Sequence, residues 1–240
     1  SGRETTARVA AGAVAIKILN QLGITFTTYT RSIGDIEIDY SKFNETEIYK
    51  NKLYMPDATA AKKAGEYIIN MSKEHDSVGG CVEALIKGVP AGLGDTVFEK
   101  IDANLAKAIM SIGAVKCVEI GAGNQVSKMT GSENNDGFMM QEDLVVKKTN
   151  HAGGILGGMS DGSDIILRAS IKPTPSIAAT QQTVNQSGEE IDVNIKGRHD
   201  PIIVPRAVVV VEAMTAITIV DAMFANMSAR MDSLENFYRK

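Results

Sequence analysis

PRAVVVVEAMTAITIVDAMFANMSARM, residues 205–231, is the stretch that decides the fold, because its apolar side chains leave almost no polar face. Pro205 suits the first turn of an α-helix, and a helix that is apolar on every side is buried on every side. Residues 4–22 have the same character around an apolar run that only Arg8 and Lys17 interrupt. Other elements must pack against such helices on both sides, so the sequence predicts a layer of buried helices between sheets.

Between these two helices the hydrophobic pattern changes to that of strands. Residues 24–31 (ITFTTYTR) are rich in β-branched and aromatic side chains, which is typical of a strand. The same reasoning predicts further strands at 77–87, 114–120, 144–148, 164–171 and 191–196, and exposed helices at 57–73 and 98–112. No linker or low-complexity tract separates these elements, so we expect one domain over residues 1–240 with a mixed α/β (α+β) fold.

The composition excludes several classes of protein. The 240 residues are 44% hydrophobic and 22% charged, which argues against disorder. A net charge of −4, with 5% aromatic residues and no Trp, disfavours a nucleic-acid partner. The apolar stretch 213–220 is far shorter than a bilayer span, so we expect no membrane partner. Cys81 and Cys117 both lie in apolar runs, which predicts buried reduced thiols and a cytoplasmic location.

Two glycine- or arginine-bearing segments have the composition of ligand sites. Ser1-Gly2-Arg3-Glu4-Thr5-Thr6 places a hydroxyl, a guanidinium and free N–H groups at a helix start, which suits an anion; the alternative is an ordinary N-cap with a surface arginine. The segment HAGGILGG, residues 151–158, lets the backbone come close to a flat or phosphorylated ligand. It matches neither the dinucleotide nor the nucleoside-triphosphate glycine pattern, and the alternative is a flexible loop.

Two further segments place polar groups beside stiff or apolar elements. Prolines stiffen Lys172-Pro173-Thr174-Pro175-Ser176, which would present its polar side chains in a fixed array; the alternative is a strand exit. Arg198-His199-Asp200-Pro201 is a dense polar cluster before the long apolar helix, where proton transfers can be arranged; the alternative is a solvated helix-entry turn. Three histidines without HxxxH or CxxC spacing predict no metal site.

Taken together, these segments resemble the chorismate synthase family. The resemblance also includes residues 88–121 (GVPAGLGDTVFEKIDANLAKAIMSIGAVKCVEIG) and extends past Met214, so it covers nearly the whole chain. Its motifs are SGRETTARVAAGAVA, NHAGGILGGMSDG, IKPTPSI and KGRHDPIIVPRAVVVVEAM. These motifs are long, and chance agreement at all of them is not credible.

The resemblance implies both a fold and an activity. The family's fold is a β-α-β sandwich with helices between antiparallel sheets, usually in a homotetramer. Its reaction is the last step of the shikimate pathway, a 1,4-anti elimination of phosphate from 5-enolpyruvylshikimate 3-phosphate that gives chorismate. The implied cofactor is reduced FMN, which is reduced externally or by NADPH and takes part without net redox change.

The resemblance also implies roles for individual residues. Arg3 corresponds to a substrate-binding arginine, Arg198 to an arginine that faces flavin and substrate, and Asp200 to an aspartate near flavin N5 that helps to move a proton, so these three form the implied catalytic set. The implied flavin contacts are Ser1, Gly113, Ala114, Gly157, Lys172, Pro173, Thr174, Pro175, Ser176 and Arg198. At Gly113 the family often has Asn, so only a backbone contact is expected there.

The family's chain extends upstream of the residue that matches Ser1, and that region carries two histidines used as acids and several substrate-binding arginines. We therefore expect that this chain, which begins without Met, lacks an N-terminal part of the active site and shows little turnover by itself. Two alternatives are a non-catalytic oligomerising member without flavin and an acyl- or sugar-phosphate-binding module. Titration with FMN and with a panel of phosphorylated ligands separates the three.

Overall fold

The computed structural model describes residues 2–195, 197 and 199–239. The α-helices are α1 (Thr5–Gln21), α2 (Ala58–Lys73), α3 (Ile101–Met110), α4 (Gly131–Asn134), α5 (Val204–Met227) and α6 (Met231–Tyr238). The strands are β1 (Thr25–Ile33), β2 (Ile36–Glu37), β3 (Gly80–Lys87), β4 (Val115–Ile120), β5 (Phe138–Gln141), β6 (Leu144–Lys147), β7 (Ile155–Leu156), β8 (Met159–Ser160), β9 (Ile165–Ile171), β10 (Gln181–Val184) and β11 (Glu190–Val193).

The chain forms two compact units. The first contains Ser1–Thr28, Glu83–Ala169 and Val209–Lys240, and the second contains Tyr29–Val82 and Ser170–Val208. The strands β1, β3 and β9 and the helix α5 each continue from one unit into the other. The expectation of one domain over residues 1–240 stays a prediction.

The strands pair as an α+β fold requires. The largest sheet has the order β2-β1-β3-β9-β4, and β1 pairs antiparallel with β2. Three antiparallel hairpins, β5–β6, β7–β8 and β10–β11, stand apart from that sheet. The predicted class, with helices and antiparallel sheets, is confirmed. Cys81 is buried as expected, but Cys117 is exposed, because β4 is an edge strand of the sheet.

In the first unit, α1 packs closely against α5. A Cβ atom built on Gly12 would lie 2.3 Å from the Cβ of Ala213, so only glycine allows this approach. The buried residues of α1 are Gly12, Ala15 and Leu19, which lie on one face of the helix. Val14, on the opposite side, is 60% exposed. The expectation that this helix is buried on every side is therefore wrong for the described chain.

The second long helix also differs from its predicted extent. The sequence predicts one helix over residues 205–231, whereas α5 ends at Met227 and α6 begins at Met231. Val211, Ala216 and Ile219 are buried, but Phe224 is 57% exposed, so burial fades toward the end of α5. By length and composition alone α5 could cross a membrane. One such helix is weak evidence, because core helices have the same properties.

The second unit is built around α2. Asp57 caps this helix by accepting hydrogen bonds from the backbone N–H groups of Thr59 (2.8 Å) and Ala60 (3.2 Å). The small buried residues of α2 pack into an apolar cluster that includes Tyr29, Ile33, Ile38, Ile48, Met55 and Val78.

Candidate functional site

In the first unit, the glycines of the segment HAGGILGG form a tight hairpin, residues 150–161, which we call the glycine hairpin. Ile155 pairs with Ser160 and Leu156 with Met159, so Gly157 and Gly158 are the two residues of the turn. Their φ angles of +61° and +90° are left-handed, as a two-residue hairpin turn of type I′ requires. Gly157 is exposed, and a Cβ atom built on it would have no neighbour within 4 Å. The backbone of this turn is therefore open to a ligand.

The turn of the glycine hairpin is fixed by contacts with other elements of its unit. The backbone N–H of Ile101, at the start of α3, donates to the carbonyl of Gly158 at 2.8 Å. The hydroxyl of Ser160 donates to the carbonyl of Pro90 and accepts from the N–H of Leu93. These hydrogen bonds hold the turn, with its exposed Gly157 and buried Gly158, at a defined place in the first unit.

The base of the glycine hairpin is held by a buried carboxylate. Asp136 accepts hydrogen bonds from the Thr149 hydroxyl (2.7 Å) and from the N–H groups of His151 (2.7 Å) and Ala152 (3.0 Å). Burial opposes ionisation of Asp136, but these hydrogen bonds and the charge of Lys147 outweigh it, so its pKa lies below the usual value. The sequence analysis missed Asp136, because an isolated Asn-Asp pair in a polar stretch has no distinguishing pattern.

The connection between α3 and β4 contains the other two flavin residues implied in this unit. Gly113 is exposed with open space around it, and Ala114 has a φ of +73°. An L-residue other than Gly, Asn or Asp rarely adopts this conformation, which costs about 1–2 kcal/mol and is found most often at functional sites. The strain therefore fits a functional role at the position that the family resemblance marks.

The start of α1 lies beside the same connection. Arg8 donates to the carboxylate of Glu4 at 2.8 Å and to the hydroxyl of Ser111 at 2.6 Å. Arg3 is exposed in the turn before α1. The structure thus brings the helix start that carries Arg3 toward Gly113 and Ala114. Ser1, the remaining predicted residue of this region, lies outside the described residues.

In the second unit, residues 171–176, which we call the proline segment, leave the end of β9. The hydroxyl of Ser77 donates to the carbonyl of Thr174 at 2.7 Å. Lys172 is exposed, and Thr174 is half-buried. The Thr174 hydroxyl oxygen is itself buried and has no hydrogen-bond partner within the part of the chain that the structure describes. A polar atom of a ligand could form the hydrogen bond that this hydroxyl lacks.

The proline segment contacts the polar cluster that precedes α5. His199 has its Nε2 2.8 Å from the carbonyl of Ile195, so Nε2 carries the proton, and Nδ1 accepts from the Ser176 hydroxyl at 3.3 Å. Arg206 donates two hydrogen bonds to Asp200, at 2.8 and 2.7 Å. This ion pair raises the pKa of Arg206. Lys172 to Ser176 and Asp200 are therefore brought together, while Arg198 lies outside the described residues.

A cavity of about 170 Å³ lies beside this cluster and is lined by His75, Asp76, His199 and Asp200, among other residues. Pockets for drug-sized ligands span roughly 300–1,000 Å³. This cavity is therefore smaller than a site that would enclose a whole flavin nucleotide. The described residues include no group of three or more His, Cys, Asp or Glu side chains that could hold a metal ion.

Comparisons with known proteins point to one family. The family model described as chorismate synthase matches residues 1–224. A chorismate synthase from Agathobacter rectalis is 65% identical over 240 residues, and one from Lachnospira eligens is 58% identical. These matches cover 100% of this chain but 65% and 66% of the two relatives, so the chain spans slightly less than two thirds of their length.

A solved structure gives the same result. The chain of a crystal structure of chorismate synthase is similar with a TM-score of 0.80 and 30% sequence identity. The match covers 98% of this chain and 68% of that chain. The similarity therefore extends to the described fold as well as to the sequence.

Proposed function

The chain belongs to the chorismate synthase family, and from this we propose that it acts as a chorismate synthase. The proposed reaction is the 1,4-anti elimination of phosphate from 5-enolpyruvylshikimate 3-phosphate to give chorismate, a lyase reaction at the end of the shikimate pathway. We further propose a cytoplasmic location and a homotetramer. No observation on the described residues favours a non-catalytic member or a general sugar-phosphate binder instead.

The observation that carries the proposal is the match of the chorismate synthase family model to residues 1–224. Among the described residues, the hydroxyl of Thr174 in the proline segment has no hydrogen-bond partner. Bound reduced FMN would supply a flavin ring that can donate an electron reversibly and exchange a proton at N5. Thr174 would hydrogen-bond the edge of that ring, and Lys172 would supply a cation beside it. Pro173 and Pro175 would keep both groups in place, because their rings fix φ.

Residues of the first unit would contribute backbone contacts to a bound flavin. Gly157 presents an open left-handed turn, and Gly113 and Ala114 present a strained connection without a bulky side chain. These positions fit a flat ring that approaches the backbone closely. Arg3, and with it Ser1 and Arg198, would bind anionic groups, since a guanidinium can donate two parallel hydrogen bonds to a phosphate or carboxylate.

Asp200 would move the proton that the substrate loses. The two hydrogen bonds from Arg206 favour the ionised form of Asp200, and an ionised carboxylate can accept a proton. His199, next to Asp200 in the chain, lies within hydrogen-bond distance of the Ser176 hydroxyl. In this proposal Asp200 acts as a general base, and the two hydrogen bonds from Arg206 support it by holding the carboxylate in place.

FMN titration in the presence of 5-enolpyruvylshikimate 3-phosphate, followed by flavin fluorescence, tests the cofactor assignment. We expect the wild-type chain to bind FMN and Thr174→Val to weaken binding about tenfold, because one buried hydrogen bond is worth about 0.5–1.5 kcal/mol. Thr183→Val is the matched control, since Thr183 is exposed on β10, and it should bind like the wild type. No FMN binding by the wild-type chain would contradict the proposal.

Phosphate release with reduced FMN tests the role of Asp200. In a full-length protein of the family, of whose length this chain spans 65% in one relative, we expect Asp200→Asn to lower the rate about 10²–10⁴-fold, the usual contribution of a general acid or base, with FMN affinity far less affected. Asp232→Asn is the control, because Asp232 is also exposed and paired with an arginine. If the chain binds FMN and substrate but releases no phosphate, the assignments of the binding residues stand. The assignment of Asp200 as a catalytic residue is then wrong for this chain.

A further inference from the structure

Three charged side chains are buried together at the base of the glycine hairpin. The side chains of Lys147, Asp136 and Asp161 are 8%, 5% and 13% exposed. Lys147 Nζ donates a short hydrogen bond to Asp161 Oδ2 and lies 3.9 Å from Asp136 Oδ2. Lys147 is therefore the cation between two buried carboxylates.

Each carboxylate holds a different end of the glycine hairpin. Asp136 binds the backbone where the hairpin begins, through the N–H groups of His151 and Ala152. Asp161 lies where the hairpin ends: its carboxylate accepts from the N–H of Ser163 at 2.9 Å, and its own N–H donates to the carbonyl of Gly154 at 2.9 Å. Lys147 thus connects the two ends of the hairpin through their carboxylates.

Both carboxylates are held in the charged form that this arrangement needs. Burial alone would raise the pKa of Asp161, but hydrogen bonds from Lys147 and Ser163 outweigh it, and the pKa lies below the usual value. Asp136 behaves in the same way. Buried ion networks add little net stability compared with apolar side chains of similar volume, so this one calls for a reason other than stability.

The backbone of the hairpin supplies that reason. Gly153, Gly154, Gly157 and Gly158 all have positive φ angles. Glycine reaches many other conformations at little cost, so the chain's own preferences do not select this one. A restraint from outside the hairpin is needed to keep its turn in one conformation.

We propose that Lys147, together with Asp136 and Asp161, positions the glycine hairpin in the conformation that Gly157 needs to contact a flat ligand. The ligand's identity as FMN rests on the proposed function, whereas the positioning does not. Lys147 touches no ligand in this account and acts through the two carboxylates alone.

Hydrogen exchange of the 240-residue chain without ligand tests the positioning directly. In Lys147→Met, we expect the amides of residues 150–162 to exchange about tenfold faster or more, while those of α5 keep the wild-type rate. The same variant should bind FMN about tenfold more weakly. Lys148→Met is the matched control, because Lys148 is adjacent but exposed, and it should leave both measurements unchanged. Wild-type exchange of the hairpin in Lys147→Met would overturn the proposal.

Lys147→Met leaves two buried carboxylates without their cation and can unfold the unit for that reason alone. The double variant Lys147→Met, Asp161→Asn removes one of these charges. If the cluster positions the hairpin, the double variant regains stability toward urea but keeps fast exchange at residues 150–162. Recovery of slow hairpin exchange together with stability would show a merely structural role and would overturn the proposal. Failure of the wild-type chain to bind FMN would contradict the proposed function only, because exchange is measured without ligand.

Discussion

The glycine hairpin in the first unit is held by contacts with Asp136, Lys147 and Pro90, which lie outside it. The proline segment in the second unit is held largely by its own two rings. The glycines let the backbone of the hairpin approach a ligand closely. Because glycine does not select one conformation, the hairpin depends on buried charged residues of its unit to hold it. The proline segment needs fewer contacts, but its Lys172 is exposed and a neighbouring ion pair, Arg206–Asp200, is exposed as well. The comparison predicts that substitutions disturb the hairpin far more than the proline segment.

The largest effect is expected inside the hairpin, at Gly153. A Cβ atom there would lie 2.3 Å from the backbone nitrogen of Gly121, at a φ of +63°. We expect Gly153→Ala to lower the free energy of unfolding by about 3–5 kcal/mol, since backbone must move. Gly157→Ala, at a φ of +61° with open space around it, should cost only about 1–2 kcal/mol. Urea unfolding measures both, and equal losses would show that the hairpin is not tightly packed at its base.

The sequence could predict the glycine hairpin as a place of close backbone approach, because four glycines in six residues are visible in the sequence itself. It could not predict Asp136 and Lys147. Lys147 has a charged neighbour, Lys148, and such a pair is typical of a solvated surface; only the tertiary fold buries one member and exposes the other. An ion pair between residues far apart in the chain produces no periodic pattern in the sequence, so a pattern-based prediction does not detect it.

The long helices show the opposite error. Their all-round apolar composition predicts burial on every side, but α1 buries one face, and Val14 and Leu22 are exposed. Apolar side chains allow a helix to be buried, but they do not determine which of its faces is buried. That depends on which other elements pack against the helix. The α+β class was predictable because strand and helix periods differ over long segments.

An intermediate effect is expected from acid, and it should fall on the hairpin's unit. The folded-state pKa values of Asp136 and Asp161 lie below their unfolded values. Their contribution to stability is therefore complete above the unfolded pKa of about 4 and is lost as pH falls through the folded-state pKa. The free energy of unfolding, measured with urea, should fall between pH 6 and pH 3 in the wild type. It should fall less in Asp136→Asn. An identical decline in the wild type and this variant would contradict the assignment.

The smallest effect is expected beside the proline segment. Arg206 and Asp200 are 70% and 42% exposed, and exposed ion pairs are worth about 0–1 kcal/mol. We expect Arg206→Met to change the free energy of unfolding by no more than that. A loss of about 2 kcal/mol or more in urea unfolding would mean that this segment depends on its charges as the hairpin does, and the comparison would fail.

Hydrogen exchange of the wild-type chain with and without FMN and 5-enolpyruvylshikimate 3-phosphate tests the central claim, that the glycine hairpin and the proline segment are each a flavin-binding segment of their own unit. The reporting amides are those of residues 154–159 in the glycine hairpin and of Lys172, Thr174 and Ser176 in the proline segment, since the prolines have none. We predict slower exchange in both sets when the ligands are present. Slowing in only one set, or in neither, would contradict the claim.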